Sequence, residues 1–252
     1  MIDVQALCKT YPTRGEGDVH ALRGVDFHCP AGEILGLLGP NGAGKTTTLR
    51  ILSTLLPPTS GTVTIAGADL VREPETIRRR IAFLTTSTEL YRRLTVREML
   101  QFFGQLHDLP QNHLRKRLEV VTELLELGPF LDRRGDRLST GMKQRASLAR
   151  VIIHDPPVLI LDEPTNGLDL VSTATVIDFL RACRAEGKTI LFSSHHLAEV
   201  EKVCDRIALM NEGRIQLVAP LKELRTSQPD LETYILELLK KPTPAEQESP
   251  AP

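Results

Sequence analysis

The sequence lacks any long apolar run, and this bears on membrane insertion. None of the apolar stretches in its 252 residues approaches the ~20 residues that a membrane-spanning helix requires. The first residues, 1–4, also lack the basic and then apolar pattern of a signal peptide, so we expect none. Any role at a membrane would therefore depend on a partner.

The chain also has no excess of basic charge. Its formal net charge is -1, with 25% charged residues. The basic clusters at residues 78–80 and 115–117 lie among enough acidic residues to be solvated helix faces. The charge balance therefore predicts no nucleic-acid partner.

Cysteine is scarce and scattered. Cys8, Cys29, Cys183 and Cys204 form no C-x-x-C pair, which argues against a zinc site or a disulfide framework. We expect reduced thiols in a cytosolic protein. Five histidines show no metal-ligand spacing and are assigned surface or packing roles: His20, His28, His107, His113 and His154.

The apolar pattern predicts an α/β fold. Short apolar runs alternate with longer helical patterns, which is typical of a mostly parallel sheet covered by helices. Buried strands are predicted at residues 34–38, 158–162 and 189–192. More clearly alternating segments predict an antiparallel side sheet and lie at residues 4–7, 19–28 and 62–65.

The remaining organisation follows from periodicity and composition. Apolar residues recur at helical spacing in residues 87–138, which predicts a helical subdomain inserted in a core domain of residues 1–225. Asn211, Glu212 and Gly213 predict the turn of a late hairpin. Residues 226–252 are expected to form a short helix and then a disordered, Pro-rich tail.

The strongest motif is a glycine-rich loop that predicts nucleotide binding. It fits G-x-x-x-x-G-K-[ST] between a predicted strand and a helix predicted at residues 47–56. Its backbone N–H groups would surround phosphates, Lys45 would reach the β- and γ-phosphates, and Thr46 would bind Mg²⁺. The predicted contacts to nucleotide are Gly39, Pro40, Asn41, Gly42, Ala43, Gly44, Lys45, Thr46 and Thr47.

Two adjacent carboxylates follow a second buried strand. Asp162 ends the run at residues 158–162, and Glu163 comes next. In a P-loop NTPase, Asp162 would orient Mg²⁺ or its water shell, and Glu163 would polarise the water that attacks the γ-phosphate. These motifs alone leave a kinase, a GTPase, a helicase and a transporter motor open.

Three further motifs resemble the ATP-binding cassette (ABC) family. Residues 138–145, Leu-Ser-Thr-Gly-Met-Lys-Gln-Arg, resemble its LSGGQ signature, and residues 162–169 resemble its Walker B motif and D-loop. Ser193, Ser194 and His195 resemble its switch-histidine loop. The resemblance covers about residues 1–220 and implies a P-loop NTPase with a RecA-like core that binds and hydrolyses ATP with Mg²⁺.

The resemblance also implies roles for single residues. Tyr11 stands where the family places an aromatic ring against adenine, and His195 where a histidine contacts the γ-phosphate. Ser139 is expected to cap a helix and, with Gly141, to donate to the γ-phosphate held by a second cassette. Asp169 matches the D-loop aspartate of that interface.

The sequence departs from the family pattern at two positions. Thr86 stands where the family usually has Gln, at the junction into the helical subdomain, and its shorter side chain would reach Mg²⁺ or its water through an intermediary. Thr86 is nevertheless a third candidate metal residue. Thr140 replaces the first glycine of the signature.

Within the family, the motifs look most like NatA-type sodium-efflux and drug-export ATPases. The resemblance implies an exporter subunit on the cytoplasmic face of the cell membrane, docked on a transmembrane permease through the helical subdomain. It also implies a homodimer or a paired cassette with ATP at the interface. The cargo stays open between sodium, a drug and other substrates, and the alternative is a soluble ABC-type ATPase acting outside transport.

Overall fold

A computed structural model describes residues 1–13, 17–85, 89–228 and 230–240. Thr86 and the Pro-rich tail beyond residue 240 lie outside these ranges, so the predictions made for them stay untested. In the described part of the chain, no helix is both long and apolar enough to span a bilayer.

The larger sheet has the predicted parallel centre. Its strand order is β10-β9-β3-β8-β7-β6. Strands β9, β3, β8, β7 and β6 run parallel, while β10 pairs antiparallel with β9. The strands are β3 (Ile34–Leu38), β6 (Ile81–Leu84), β7 (Val158–Asp162), β8 (Thr189–Ser194), β9 (Arg206–Asn211) and β10 (Arg214–Pro220).

Sequence and structure agree closely at this centre. Every residue of β3, β7 and β8 is buried, as expected for strands covered on both faces. The strand predicted at residues 189–192 continues to Ser194, because Ser193 and Ser194 pair with the end of β3. The predicted hairpin turn after Asn211 joins β9 to β10 and is confirmed.

The predicted antiparallel side sheet is also confirmed. Its order is β2-β1-β4-β5. Apolar residues on its inner face, such as Val4 and Val25, pack in one cluster with β3 residue Leu35 and helix residue Leu49. The strands are β1 (Ile2–Tyr11), β2 (Val19–Cys29), β4 (Ser60–Ile65) and β5 (Ala68–Asp69).

Helices cover both faces of the larger sheet. They are α1 (Lys45–Leu52), α2 (Pro74–Arg80), α3 (Val96–Leu106), α4 (Gln111–Leu124), α5 (Thr140–Ile152), α6 (Leu170–Ala185), α7 (Leu197–Val203), α8 (Leu221–Ser227) and α9 (Leu231–Lys240). The last two lie around the proposed boundary at residue 225, which α8 crosses.

The helix after the glycine-rich loop is shorter than predicted. It was expected at residues 47–56 but runs from Lys45 to Leu52. The Ser53 hydroxyl donates to the carbonyl of Leu49, and Thr54 has a left-handed φ of 62°. This conformation ends the helix, because a residue with left-handed backbone angles cannot continue a right-handed helix.

Helices α3 and α4 form the region inserted before α5. A capping box fixes the start of α3, with Thr95 and Glu98 each accepting a backbone hydrogen bond from the other. Gly104 lets α4 approach closely, since a Cβ there would lie 2.3 Å from a Leu114 methyl carbon. The insertion therefore has its own packed contacts.

Candidate nucleotide-binding and hydrolysis site

The glycine-rich loop joins β3 to α1 in a conformation that its glycines make possible. A Cβ on Gly39 would lie 2.1 Å from the Met210 carbonyl oxygen, so the loop passes directly against β9. Gly44 has a φ of 105°, a backbone conformation that residues with a Cβ rarely adopt. The loop therefore delivers the first N–H groups of α1 to the carboxyl edge of the sheet, where an anion is favoured.

Lys45 is almost fully buried beneath this loop. Its Nζ donates to the Gly39 carbonyl at 2.6 Å and to the Pro40 carbonyl at 2.9 Å. Burial lowers the pKa of Lys45, while the charges of Glu163 and Asp162 act in the opposite direction. The ammonium thus has neutral carbonyl acceptors and no direct carboxylate partner among the described residues.

Asp162 anchors the second half of the site. Its carboxylate is 1% exposed and accepts from Ser193 Oγ at 2.7 Å and from Thr46 Oγ1 at 3.3 Å. Ser193 Oγ in turn accepts the backbone N–H of Glu163 at 3.0 Å. One buried hydroxyl therefore connects both adjacent acidic residues to the neighbouring strand.

Ser193 is a site residue whose role the sequence did not reveal. Its motif resembled the switch loop, but no function followed from that position alone. The missing information was strand register: Asp162 of β7 lies opposite Ser193 of β8. Side chains at paired positions on neighbouring strands lie close together.

Glu163 and His195 meet at the same edge. His195 Nδ1 lies 3.2 Å from Glu163 Oε1. Glu163 has a φ of 47°, a left-handed conformation that costs free energy for a residue with a Cβ and is often retained at functional sites. A cavity of about 180 Å³ adjoins Glu163 and is lined by Ala21, Asn41, Gly42, Ala43, Gly44, Lys45, Thr46, Thr47 and Glu163.

The remaining candidate residues lie outside the lining of that cavity. Ser139 caps α5 as expected, accepting the Met142 N–H at 3.3 Å. Asp169 caps α6 by accepting the Ser172 N–H at 2.7 Å, and this bond lowers the pKa of Asp169. A Cβ on Gly141 would lie 2.2 Å from Ser172 Oγ, so Gly141 also permits the contact between α5 and α6.

Tyr11 ends β1 and is 36% exposed. Lys9 Nζ lies 5.3 Å from its ring centroid. Tyr11 is not among the residues that line the cavity beside Lys45. Its proposed contact with adenine stays a prediction.

These features agree with the comparison to known families, in which the model "ABC transporter" matches residues 22–166, more than half of the chain. The chain belongs to the ABC transporter family. It is 39% identical over 211 residues to the ABC transporter ATP-binding protein NatA of Bacillus subtilis strain 168, covering 83% of this chain and 86% of that protein.

Other ABC relatives and structures extend the match. The daunorubicin resistance ATP-binding protein DrrA3 of Streptomyces coeruleorubidus is 39% identical over 209 residues, which cover 83% of this chain and 66% of that protein. A solved ATP-binding subunit of an ABC transporter superposes with a TM-score of 0.83 at 30% identity, covering 95% of this chain and 100% of that chain.

A dimeric ABC cassette, MJ0796 in a post-hydrolysis state bound to ADP and Pi, has a TM-score of 0.78 at 28% identity. The match covers 88% of this chain and 99% of that chain. The predicted P-loop NTPase fold is confirmed, as is the assignment of the chain as an ATP-binding, ATP-hydrolysing ABC subunit.

Proposed function

We propose that this chain powers an ABC exporter by hydrolysing ATP at the Lys45 loop while a separate membrane permease carries the substrate. The observation that carries the catalytic part is the pairing of Glu163 with His195 at the carboxyl edge of the sheet, next to the glycine-rich loop. This edge is where parallel α/β proteins place their ligands.

The Glu163 carboxylate is the proposed general base. It lines the loop cavity, and its second oxygen is available to accept a proton from a water molecule. His195 holds the carboxylate in place through Nδ1, and its proposed second role is to contact the γ-phosphate. Lys45 would exchange its two neutral carbonyl acceptors for negatively charged phosphate oxygens.

The donor set at Thr46 and Asp162 fits a magnesium ion. A hydroxyl and a nearly inaccessible carboxylate oxygen lie 3.3 Å apart, and Mg²⁺ prefers hard oxygen ligands of this kind. When bound, the ion would neutralise charge on the β- and γ-phosphates. Thr86 remains a proposed third contributor.

A second cassette would complete the site. Ser139 caps the start of α5, and the first N–H groups of a helix favour an anion, which supports the use of Ser139 and Gly141 on the nucleotide phosphate of a partner cassette. Asp169, which caps α6, is the proposed interface aspartate. The dimeric state of the MJ0796 cassette supports the same arrangement. Both a homodimer and a pair of different cassettes satisfy this proposal.

The proposed permease contact is an aromatic surface on the helical insertion. Tyr91 is 51% exposed and Phe102 is 42% exposed, and their rings are 6.3 Å apart. Phe103 joins them, with the Arg150 guanidinium 5.1 Å from its ring centroid. Clustered exposed apolar side chains are typical of protein interaction sites. Docking there would hold the chain at the cytoplasmic face of the membrane.

Export is the direction favoured by the relatives. They include a Nod factor export ATP-binding protein of Paraburkholderia xenovorans, 40% identical over 198 residues, and the daunorubicin resistance protein already described. The chain spans 65% of the former relative's length. The cargo would be selected by the permease.

Copurification from detergent-solubilised membranes of the native host tests the transport assignment. The wild-type chain should bring down a multispanning permease, and the double variant Tyr91→Ser, Phe102→Ser should lose it. Val71→Ser is the control, because Val71 is 68% exposed but follows the side sheet. If no membrane protein copurifies with the wild-type chain, an ABC-type ATPase acting outside transport would be favoured.

A further inference from the structure

Glu199 connects the two loops that carry the proposed catalytic pair. It lies in the first turn of α7, and its Oε2 accepts from Thr165 Oγ1 at 2.7 Å and from Ser194 Oγ at 3.0 Å. Thr165 is 6% exposed and Ser194 is 2% exposed. Both hydroxyls are therefore nearly removed from solvent. The carboxylate is the acceptor for Thr165 and the nearer of two acceptors for Ser194, whose Oγ also lies 3.5 Å from the His196 carbonyl oxygen.

Each hydroxyl is linked to one member of the catalytic pair. Thr165 lies two residues after Glu163 in a tight turn, in which the Asn166 N–H donates to the Glu163 carbonyl at 3.1 Å. Ser194 directly precedes His195, and its Oγ accepts the His196 N–H at 3.0 Å. One carboxylate oxygen thus holds the backbone on both sides of the Glu163 and His195 contact.

The helix that carries Glu199 is firmly seated on the core. Val200 is fully buried, and a Cβ on Gly36 of β3 would lie 3.0 Å from its Cγ1 atom. Close packing of this kind leaves little room for α7 to shift. The position of Glu199 is therefore set by β3, the strand that also leads into the glycine-rich loop.

We propose that Glu199 is a positioning residue that fixes the separation of Glu163 and His195. This inference rests on the catalytic roles proposed for those two residues. Glu199 acts through Thr165 and Ser194 and does not line the Lys45 cavity. Its loss should slow turnover while leaving nucleotide affinity almost unchanged, because small displacements of reacting groups cost large factors in rate.

The test is steady-state ATP hydrolysis by the full-length chain with Mg²⁺, together with the Kd for ATP. Glu199→Ala should lower kcat by about 10- to 100-fold with less than about a 2-fold change in Kd. Glu199→Gln keeps an oxygen that accepts both hydroxyls and should recover much of kcat. Glu201→Ala is the matched control on the same helix, since Glu201 contacts Arg225 instead.

A double-mutant cycle separates positioning from a general structural effect. In a Glu163→Gln background, Glu199→Ala should give little further loss of kcat, because residues that act as one unit are not additive. A full additional loss would overturn the proposal. So would wild-type kcat in Glu199→Ala, or equal losses in the Ala and Gln variants.

Two further variants decide the question if Glu199→Ala does not fold. Thr165→Val and Ser194→Ala each remove one of the two hydrogen bonds, and each should lower kcat by a smaller factor at unchanged Kd. Wild-type kcat in both would contradict the proposal. If Glu163→Gln itself keeps normal turnover, the assigned catalytic roles fail; if only the Glu199 series keeps it, the positioning role alone fails.

Discussion

At the scale of single residues, the site depends on buried polar groups that each have a hydrogen-bond partner. Lys45, Asp162 and Ser193 are all nearly inaccessible, and each has hydrogen-bond partners at the carboxyl edge of the sheet. Burial of an unpaired ammonium or carboxylate would be costly, so the partners make this arrangement possible.

Lys45→Ala should weaken ATP binding by about tenfold or more, because it removes the buried cation that the phosphates would contact. Titration with a fluorescent ATP analogue measures the change. Lys116→Ala is the control, since Lys116 is an exposed lysine on α4. Equal affinities for wild type and Lys45→Ala would refute the role of this loop.

Ser193→Ala should lower both stability and turnover. The change removes the donor to Asp162 and the acceptor for the Glu163 N–H, and an unsatisfied buried group costs about 1–3 kcal/mol. Denaturant unfolding and ATP hydrolysis measure the two effects. Ser227→Ala, at an exposed serine that bonds its own helix, should change neither.

At the scale of elements, the close contact between α5 and α6 gives Gly141 a second role. Gly141→Ala should destabilise the fold, since its Cβ would lie 2.2 Å from Ser172 Oγ, and overpacking of this kind costs about 1–3 kcal/mol. Thermal unfolding checks the loss. Adding Ser172→Gly removes the obstructing side chain and should restore part of the lost thermal stability. If stability does not recover, the contact with Ser172 is not the cause of the loss.

The stacked histidine pair just after the ends of α3 and α5 predicts that this contact is sensitive to acid. His154 stacks on His107 with ring centroids 3.8 Å apart, and its Nε2 lies 3.2 Å from the Ile81 carbonyl oxygen. Burial, with a smaller contribution from His107, lowers the pKa of His154 to about 4 from 6.5. The two rings therefore pack on each other, in keeping with the surface or packing roles expected for the five histidines.

The sign of the pH effect follows from that lowered pKa. In the unfolded chain the His154 side chain takes up a proton near pH 6.5, whereas in the folded chain it does so only near pH 4. The contribution of neutral His154 to stability is therefore present above pH 6.5 and lost as the pH falls toward 4. His154→Gln should reduce the slope of the unfolding free energy against pH between pH 4 and 6.5, and the exposed control His20→Gln should not. Equal slopes for the wild type and His154→Gln would contradict the assignment.

The sequence predicted elements best where one physical signal dominated. Short, mostly apolar runs identified β3 and β7 to the residue, since a strand buried on both faces has no alternating polar pattern. The end of α1 was missed because Ser53 and Thr54 close it through local conformation, which apolar spacing does not encode. The glycine-rich loop was predictable because its glycines and lysine are contiguous.

The site beyond the motifs was harder to predict from sequence. Ser193 and Glu199 act through contacts that join residues 31 and 34 positions apart in the chain, Ser193 with Asp162 and Glu199 with Thr165. Such contacts depend on strand register and on how α7 sits against β3. Neither is visible in a single sequence without its fold.

At the scale of the whole molecule, three distinct surfaces are formed around one core. The carboxyl edge of the sheet carries Lys45, Asp162 and Glu163, and the capped starts of α5 and α6 carry Ser139 and Asp169 for the proposed second cassette. The aromatic surface on the helical insertion is the proposed permease contact.

Steady-state ATP hydrolysis by Glu163→Gln, measured with Mg²⁺ against the wild-type chain at saturating ATP, tests the central claim most directly. If Glu163 is the general base, turnover should fall by about 100-fold or more, while ATP binding persists and an ATP-bound dimer accumulates. Turnover equal to that of the wild type would contradict the account.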